Sequence, residues 1–138
     1  MPNDAGYVVT SIEGRVAVEW YGEQASKKYA FKCHRALVDG TDTVYPVSGL
    51  AFNPLYGTFA TGGGDSTVSL WDPVAKKRLK QFPKYSAPIS ALAFSPDGRR
   101  LAIAYSEDDE GGQVGTSKAS GNAVVIRETG EEARGKNK

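Results

Sequence analysis

The sequence is poor in the residues that build covalent frameworks and metal sites. Its 138 residues hold one cysteine, Cys33, and one histidine, His34. A single cysteine excludes an internal disulfide framework and agrees with a reducing compartment. One residue of each kind is too few for a protein-only zinc site of the usual sort, so no metal and no cofactor is expected. Neither sign of charge is in excess: 17 Lys and Arg against 16 Asp and Glu leave a formal charge of +1. That balance gives no long-range pull toward nucleic acid or an anionic membrane. No apolar run approaches the ~18 residues of a membrane-spanning helix. The first ten residues lack the basic and apolar regions of a signal peptide. The expectation is a soluble, intracellular chain. With 40% hydrophobic and 24% charged residues, the composition is that of an ordinary globular protein.

What is present is organised around the stretch from Gly57 to Asp72, GTFATGGGDSTVSLWD. Phe59 to Thr61 and Val68 to Trp71 read as strands, and Gly62, Gly63, Gly64, Asp65 and Ser66 supply the positions for a tight reversal. A hairpin that closes on Trp71-Asp72 marks a blade of a β-propeller, four antiparallel strands forming one wedge. A lone Trp-Asp pair is weak evidence, but the chain repeats. Ser48 to Pro54 (SGLAFNP) returns as Ser90 to Pro96 (SALAFSP), an offset of 42 residues, within the ~40–45 of this repeat class. Residues 47–52 and 89–94 carry apolar or small side chains at both parities, which suits strands covered on both faces. The reading is all-β: a partial WD40 β-propeller of about three blades. A closed ring of even four blades needs roughly 160 residues, so the chain reads as a piece of a larger ring. Met1-Pro2 is then read as a truncated gene model or an isoform.

Taken in order, residues 1–43 read as a partial first blade. Tyr7 to Thr10 and Arg15 to Trp20 form its hairpin, Lys28 to Cys33 its outer strand, and its innermost strand is expected upstream. With Val16 laid on Val68, Glu19 and Trp20 stand where Trp71 and Asp72 stand, so this blade lacks the Trp-Asp signature. Residues after Arg35, with Asp39-Gly40 and Asp42, read as a loop leading to the next blade. Residues 44–82 make the complete blade. Residues 83–128 make a partial last blade with an acidic, disordered insertion at 107–122. Residues 129–138 read as a solvated, disordered tail. With no fourth strand in the last blade, the sequence reads as the C-terminal part of a ring.

Two cations stand out. Arg15 follows the Ile12-Glu13-Gly14 turn and Lys32 lies near the end of the next strand, so adjacent antiparallel strands would bring them together. A guanidinium fork beside an ammonium makes a phosphate site; the plain alternative is two solvated surface cations. His34 has no nucleophile with an orienting partner beside it, so a structural hydrogen bond is expected rather than catalysis, and no enzymatic activity is read from the chain. Cys33 reads as a small buried hydrophobe. Lys76-Lys77-Arg78 with Lys80 reads as a solvated outer edge, with a nuclear address or nucleic-acid patch as the alternative. Gly62-Gly63-Gly64 is not followed by the Gly-Lys-Ser/Thr of a phosphate loop. Trp71 and Asp72 are taken as structural, ordering their own blade.

Read together, Ser11 to Glu19 (SIEGRVAVE), Tyr29 to Arg35 (YAFKCHR) and Trp71-Asp72-Pro73 with Lys76 to Leu79 resemble the C-terminal part of the WD-repeat spindle-checkpoint family that partners the budding-uninhibited-by-benzimidazole kinases. The resemblance covers residues 6 to about 106 and returns at 124–128. A related family, the WD-repeat messenger-RNA export factors of the nuclear pore, shares the SIEGRVA and FKCHR stretches. The resemblance implies a seven-bladed, non-enzymatic propeller of the nucleus, at the kinetochore in mitosis. It implies binding to the GLEBS motif of checkpoint kinases and to phosphorylated MELT repeats of a kinetochore scaffold, with the phosphothreonine held by Arg15 and Lys32. No membrane partner and no direct contact with nucleic acid is implied. The export-factor alternative would bind a nucleoporin GLEBS motif.

Overall fold

A computed structural model describes residues 1–107 and 122–135. The strands are β1 (Gly6–Thr10), β2 (Arg15–Trp20), β3 (Tyr29–Lys32), β4 (Arg35–Val38), β5 (Thr41–Val44), β6 (Val47–Phe52), β7 (Phe59–Gly63), β8 (Val68–Asp72), β9 (Lys77–Gln81), β10 (Ile89–Phe94), β11 (Arg100–Tyr105) and β12 (Ala123–Glu128). They form antiparallel meanders in chain order: β1-β2-β3, β6-β7-β8-β9 and β10-β11-β12, with β4-β5 as a separate hairpin. Short 3-10 turns are the helical structure among the described residues. The three meanders are successive blades of a partial β-propeller, and the acidic insertion expected at 107–122 falls, but for its two end residues, outside the described residues.

The packing follows from the period-2 alternation of strand side chains. Phe59 on β7 joins Val16, Val18, Cys33 and Val47 in a core between the first and second blades, with Phe31, Leu50 and Trp71 against it. Its neighbour Ala60 points the other way and joins Val68, Leu70, Ile89, Leu101 and Ile103 between the second and third blades. Each of these aliphatic side chains contributes about 1.5–3 kcal/mol by leaving water. β7 is therefore buried at every residue. β12 keeps Val124 67% and Ile126 61% exposed, because no described residues cover that face.

The 42-residue repeat reappears as geometry. β6 is displaced from its pairing with β7 by an irregularity between Val47 and Gly49. β10 has the same irregularity at the equivalent Ile89 and Ala91. The side chain of Asn53, at the end of β6, accepts from the Leu55 and Tyr56 amides at 2.9 and 3.1 Å and donates to the Gly98 carbonyl at 2.8 Å. That bond ties the second blade to the Pro96-Asp97-Gly98 turn of the third.

Three segments depart from the sequence reading. The stretch after His34 is a hairpin, with Arg35 opposite Val44 and Val38 opposite Thr41; alternating Leu37, Val38, Thr41 and Thr43 pair through their backbones while staying largely outside the core. Gly62 and Gly63 belong to β7 rather than to the turn, which runs through Gly64, Asp65 and Ser66, with Ser66 taking the left-handed conformation at φ 66°. Residues 129–135 are packed. Thr129 and Ala133 are buried, Thr58 Oγ1 donates to the Ala133 carbonyl at 2.6 Å, and Glu132 reaches Lys80 at 2.6 Å and Arg127 at 3.5 Å. The charged composition of Gly130 to Lys138 hides this, because Glu132 is satisfied by cations of other strands and Glu131 by Arg134.

Glycine at 62 answers a close approach, not an unusual backbone: a Cβ there would meet Ile89 Cγ2, with Ile89 Cβ at 2.9 Å and Leu92 Cδ1 at 3.3 Å. Gly62→Val should therefore destabilise the chain by about 1–3 kcal/mol through overpacking of the seam between the second and third blades. Denaturant titration beside Ser86→Val, at an exposed loop position, checks this; equal midpoints for the two variants would contradict the packing described.

Candidate functional site

The turn before β2 is built by Ser11 and Gly14. Ser11 Oγ accepts from the Glu13 and Arg15 amides, each at 3.3 Å, and the Ser11 amide donates to the Arg15 carbonyl at 3.0 Å. Gly14 takes φ +67°, and a Cβ there would lie 2.6 Å from the Cys33 carbonyl oxygen. The chain thus enters β2 in a fixed register, with Arg15 directly opposite Lys32 on β3. The adjacent Gly14–Cys33 pair carries a backbone bond of 2.8 Å. Arg15 and Lys32 therefore form a non-hydrogen-bonded pair, the kind in which side chains come closest. Both are exposed, and among the described residues neither has an acidic partner. Two unneutralised cations side by side have the chemistry that a dianion such as a phosphate takes, one offering directed donors and the other charge.

Arg35 lies nearby but is engaged, donating through Nη2 to the Glu13 carbonyl at 3.0 Å with Asp42 at 4.0 Å.

Just beyond Lys32, Cys33 and His34 turn inward. His34 adopts φ 49°, and its ring crosses from the first blade to the second. Nδ1 lies 2.9 Å from Asp65 Oδ1 and 3.2 Å from Thr67 Oγ1, while Nε2 lies 2.8 Å from Thr61 Oγ1. Thr61 Oγ1 also accepts from Trp71 Nε1 at 2.8 Å. Indole N–H is a donor only and carboxylate an acceptor only, so in the neutral ring the relay has one direction. Trp71 donates to Thr61, Thr61 to His34 Nε2, and His34 Nδ1–H to Asp65, which also accepts from the Thr67 hydroxyl at 2.9 Å and amide at 3.2 Å. Gly63 makes room for it, since a Cβ there would overlap the imidazole.

Asp72 stands apart from the relay. It is buried, and its Oδ1 accepts from the Val74 and Ala75 amides, each at 3.0 Å, forming the turn into β9. Thr61, Asp65 and Thr67 were not singled out by the sequence reading; the signal available was an Asp in the turn of a hairpin that ends in Trp, with the only His upstream. Among the described residues, no group of three or more His, Cys, Asp or Glu is placed to hold a metal ion, and no helix is long and apolar enough to cross a membrane.

Burial pushes the Asp65 carboxyl up, but the hydrogen bond and charge of His34, with the bonds from Thr67, outweigh it and hold the group below its ordinary value. A lowered folded pKa stabilises the fold above the unfolded carboxyl range, about pH 4, and that contribution drains as pH falls through the folded value. Asp65→Asn should lower the thermal midpoint at pH 7 and flatten its fall below about pH 4; an unchanged acid limb would contradict the relay. Burial, then the Asp65 charge, with Arg35 opposing, pushes the Cys33 thiol up to about 12 from 9.0. Because the thiolate is the reactive form, Cys33 in the folded chain should react with an aromatic disulfide roughly a thousandfold more slowly than in denaturant.

Comparison with known proteins agrees with this architecture. The WD domain, G-beta repeat family matches residues 27–72 and 76–110. The chain is 50% identical over 133 residues, 94% of its length, to mitotic checkpoint protein BUB3.1 of Arabidopsis thaliana, and 49% identical over 131 residues, 91% of its length, to mitotic checkpoint protein bub-3 of Caenorhabditis elegans. It is 37% identical over 140 residues, 96% of its length, to an mRNA export factor of Sus scrofa. In each case it spans 38% of the relative's own length. With its blades stacked about the His34 relay and the family matching on both sides of Pro73, this chain belongs to the WD-repeat family of β-propeller proteins.

Proposed function

We propose that this chain is a non-enzymatic binding module of the mitotic spindle checkpoint, part of a seven-bladed propeller working in the nucleus and at the kinetochore. Its ligand is a phosphothreonine peptide, the phosphorylated MELT repeat of a kinetochore scaffold, with Arg15 and Lys32 gripping the phosphate. A GLEBS motif of a checkpoint kinase docks on the ring to which these blades contribute. The observation that carries the reading is the register that sets Arg15 opposite Lys32 with no acid beside either. Like charges directly across a strand pair cost stability, and a bound dianion turns that cost into affinity. Similarity at about half identity to two mitotic checkpoint proteins supports the same choice. A second reading, binding a nucleoporin GLEBS motif in messenger-RNA export, is supported by the 37% identity to an export factor. It predicts no preference for phosphate.

The test is calorimetric titration of the full chain with a phospho-MELT peptide and its unphosphorylated twin. Hydrogen bonds to charged groups are worth about 1.5–3 kcal/mol each, so Arg15→Ala or Lys32→Ala should weaken phosphopeptide binding roughly 10- to 100-fold. The unphosphorylated peptide should bind the unaltered chain no better than the phosphopeptide binds an Arg15→Ala, Lys32→Ala double variant. Equal affinity for both peptides would refute the phosphate assignment.

A further inference from the structure

The face of the third blade that no described residues cover repeats a face already buried inside the chain. On the second blade, Leu70 stands opposite Ala60 and Val68 opposite Gly62, with Ala51 and Gly49 beside them on β6. On the third, Ile126 stands opposite Ala102 and Val124 opposite Ala104, with Ala93 and Ala91 beside them on β10. The two sets share one register, small residues on the inner strands and branched aliphatics on the strand outside them. In the second blade the set is buried under the third: Ala60, Val68 and Leu70 pack with Ile89, Leu101 and Ile103. A Cβ on Gly49 would lie 2.9 Å from Leu92 Cγ. In the third blade Ala91, Ala93, Val124 and Ile126 are all exposed.

The first blade carries the other half of such a seam on the face it turns away from the second. With Val16 laid on Val68 and Val124, the registers put Tyr7 of β1 at the place of Leu101 and Val9 at the place of Ile103. Leu101 and Ile103 are fully buried, whereas Tyr7 is 43% and Val9 51% exposed. Ala17 lies beside Val9, and Ala30 beside Ala17, so the middle of this face is flat and apolar. One end of the stack thus presents the covering half of a blade seam and the other end the covered half. Among the described residues neither half has a partner.

We infer that a second copy of this chain docks there, its Tyr7 and Val9 laid on Ala102, Ala104, Val124 and Ile126 of the first, in the geometry of the seam between the second and third blades. Contact between two different faces of identical chains is head to tail, and it closes if the rotation allows. Two copies bring the three meanders twice, which is within the about 4–8 blades of closed propellers. The contact can therefore be made twice in one pair. Further blades of a seven-bladed ring would need the same two faces; a second copy needs nothing that the chain does not itself carry. The phosphate pair stays open in this arrangement. Arg15 stands at the place of Thr67, which meets His34, a residue beyond the outermost strand of its blade. The third blade has no described strand outside β12 to bring such a residue, so the inference does not rest on the phosphate reading.

The experiment is sedimentation velocity on the full chain from about 1 to about 100 μM, where the mass should rise from one copy to two. Val9→Lys alters the covering face and Ile126→Lys the covered one. An unpaired ammonium buried in an apolar seam is costly, so each variant alone should weaken pairing at least about tenfold. An equimolar mixture of the two should pair again, because the unaltered face of each meets the unaltered face of the other. Circular dichroism monitors the fold, and Tyr7→Lys or Val124→Lys on the same faces replaces a variant that fails to fold. A mass of one copy throughout overturns the inference and leaves the faces to further blades or to another protein. Pairing that survives both variants, or that only one of them weakens, overturns it too, because a head-to-tail seam needs both faces.

Discussion

The hydrogen-bonded crossing of His34 from the first blade into the second is the interaction on which the rest depends. Trp71, Thr61, His34 and Asp65 form one chain of donors and acceptors, and three of the four belong to the blade that His34 is not part of. Each bond is worth about 1 kcal/mol net, but an orphaned polar group at the same place would cost more than its bond contributes. The relay therefore acts less as a glue than as a condition on how two blades fit: any other stacking leaves a buried imidazole unpaired. His34 holds a left-handed backbone in the process, a conformation that His tolerates better than most residues. Because it stands two residues after Lys32, the same relay fixes where β3 ends and which way its last exposed cation faces.

Close approach is the second constraint, and it has the same cause. Propeller blades stack face to face, so their middle strands have no solvent side, and β7 meets both neighbours at once. Gly62 yields to Ile89 of the third blade and Gly63 to His34 of the first. Adjacent residues point to opposite faces, so two consecutive glycines serve two different seams. The third blade repeats the strand before this one, down to its pairing irregularity. Tyr105 takes the place of Gly63 in the third blade and packs toward the second, where the Tyr85 ring lies 5.4 Å from it, centroid to centroid.

This geometry explains what the sequence disclosed and what it did not. The 42-residue repeat, the hairpin closing on Trp71 and the alternation of β2 and β3 announced blades, and the offset between Arg15 and Lys32 announced that the two could meet. Those signals are local or periodic. The glycines were read as a turn because sequence shows conformational permission and not the neighbour that forbids a Cβ. Residues 129–135 were read as solvated because Glu132 looks exposed until Lys80 and Arg127, some 50 residues and 5 residues away, are brought to it. The β4–β5 hairpin was hidden because strands that bury little carry little hydrophobic pattern. Asp65 was visible as a turn former, whereas its role toward His34 is a long-range fact.

Charge placement bears on the proposed binding surface. Some cations of the described chain find partners: Lys80 and Arg127 share Glu132, Arg134 meets Glu131, and Arg35 leans on a carbonyl and Asp42, while Arg99 and Arg100 at the start of β11 have no ion pair. Arg15, Lys32, Lys77 and Arg78 do not, although the net charge of +1 shows that acids are not scarce. Solvent screening makes such repulsion cheap at the surface, a few tenths of a kcal/mol per pair, so the pattern needs little stability to persist. Its effect on a ligand is larger, because an anion set between two cations gains from both at once and sheds little of its own hydration at an exposed rim. The asymmetry between a small cost in the free chain and a larger gain in the complex is what a recognition surface requires. On the proposed reading, the pair Arg15 and Lys32 on β2 and β3 meets that condition.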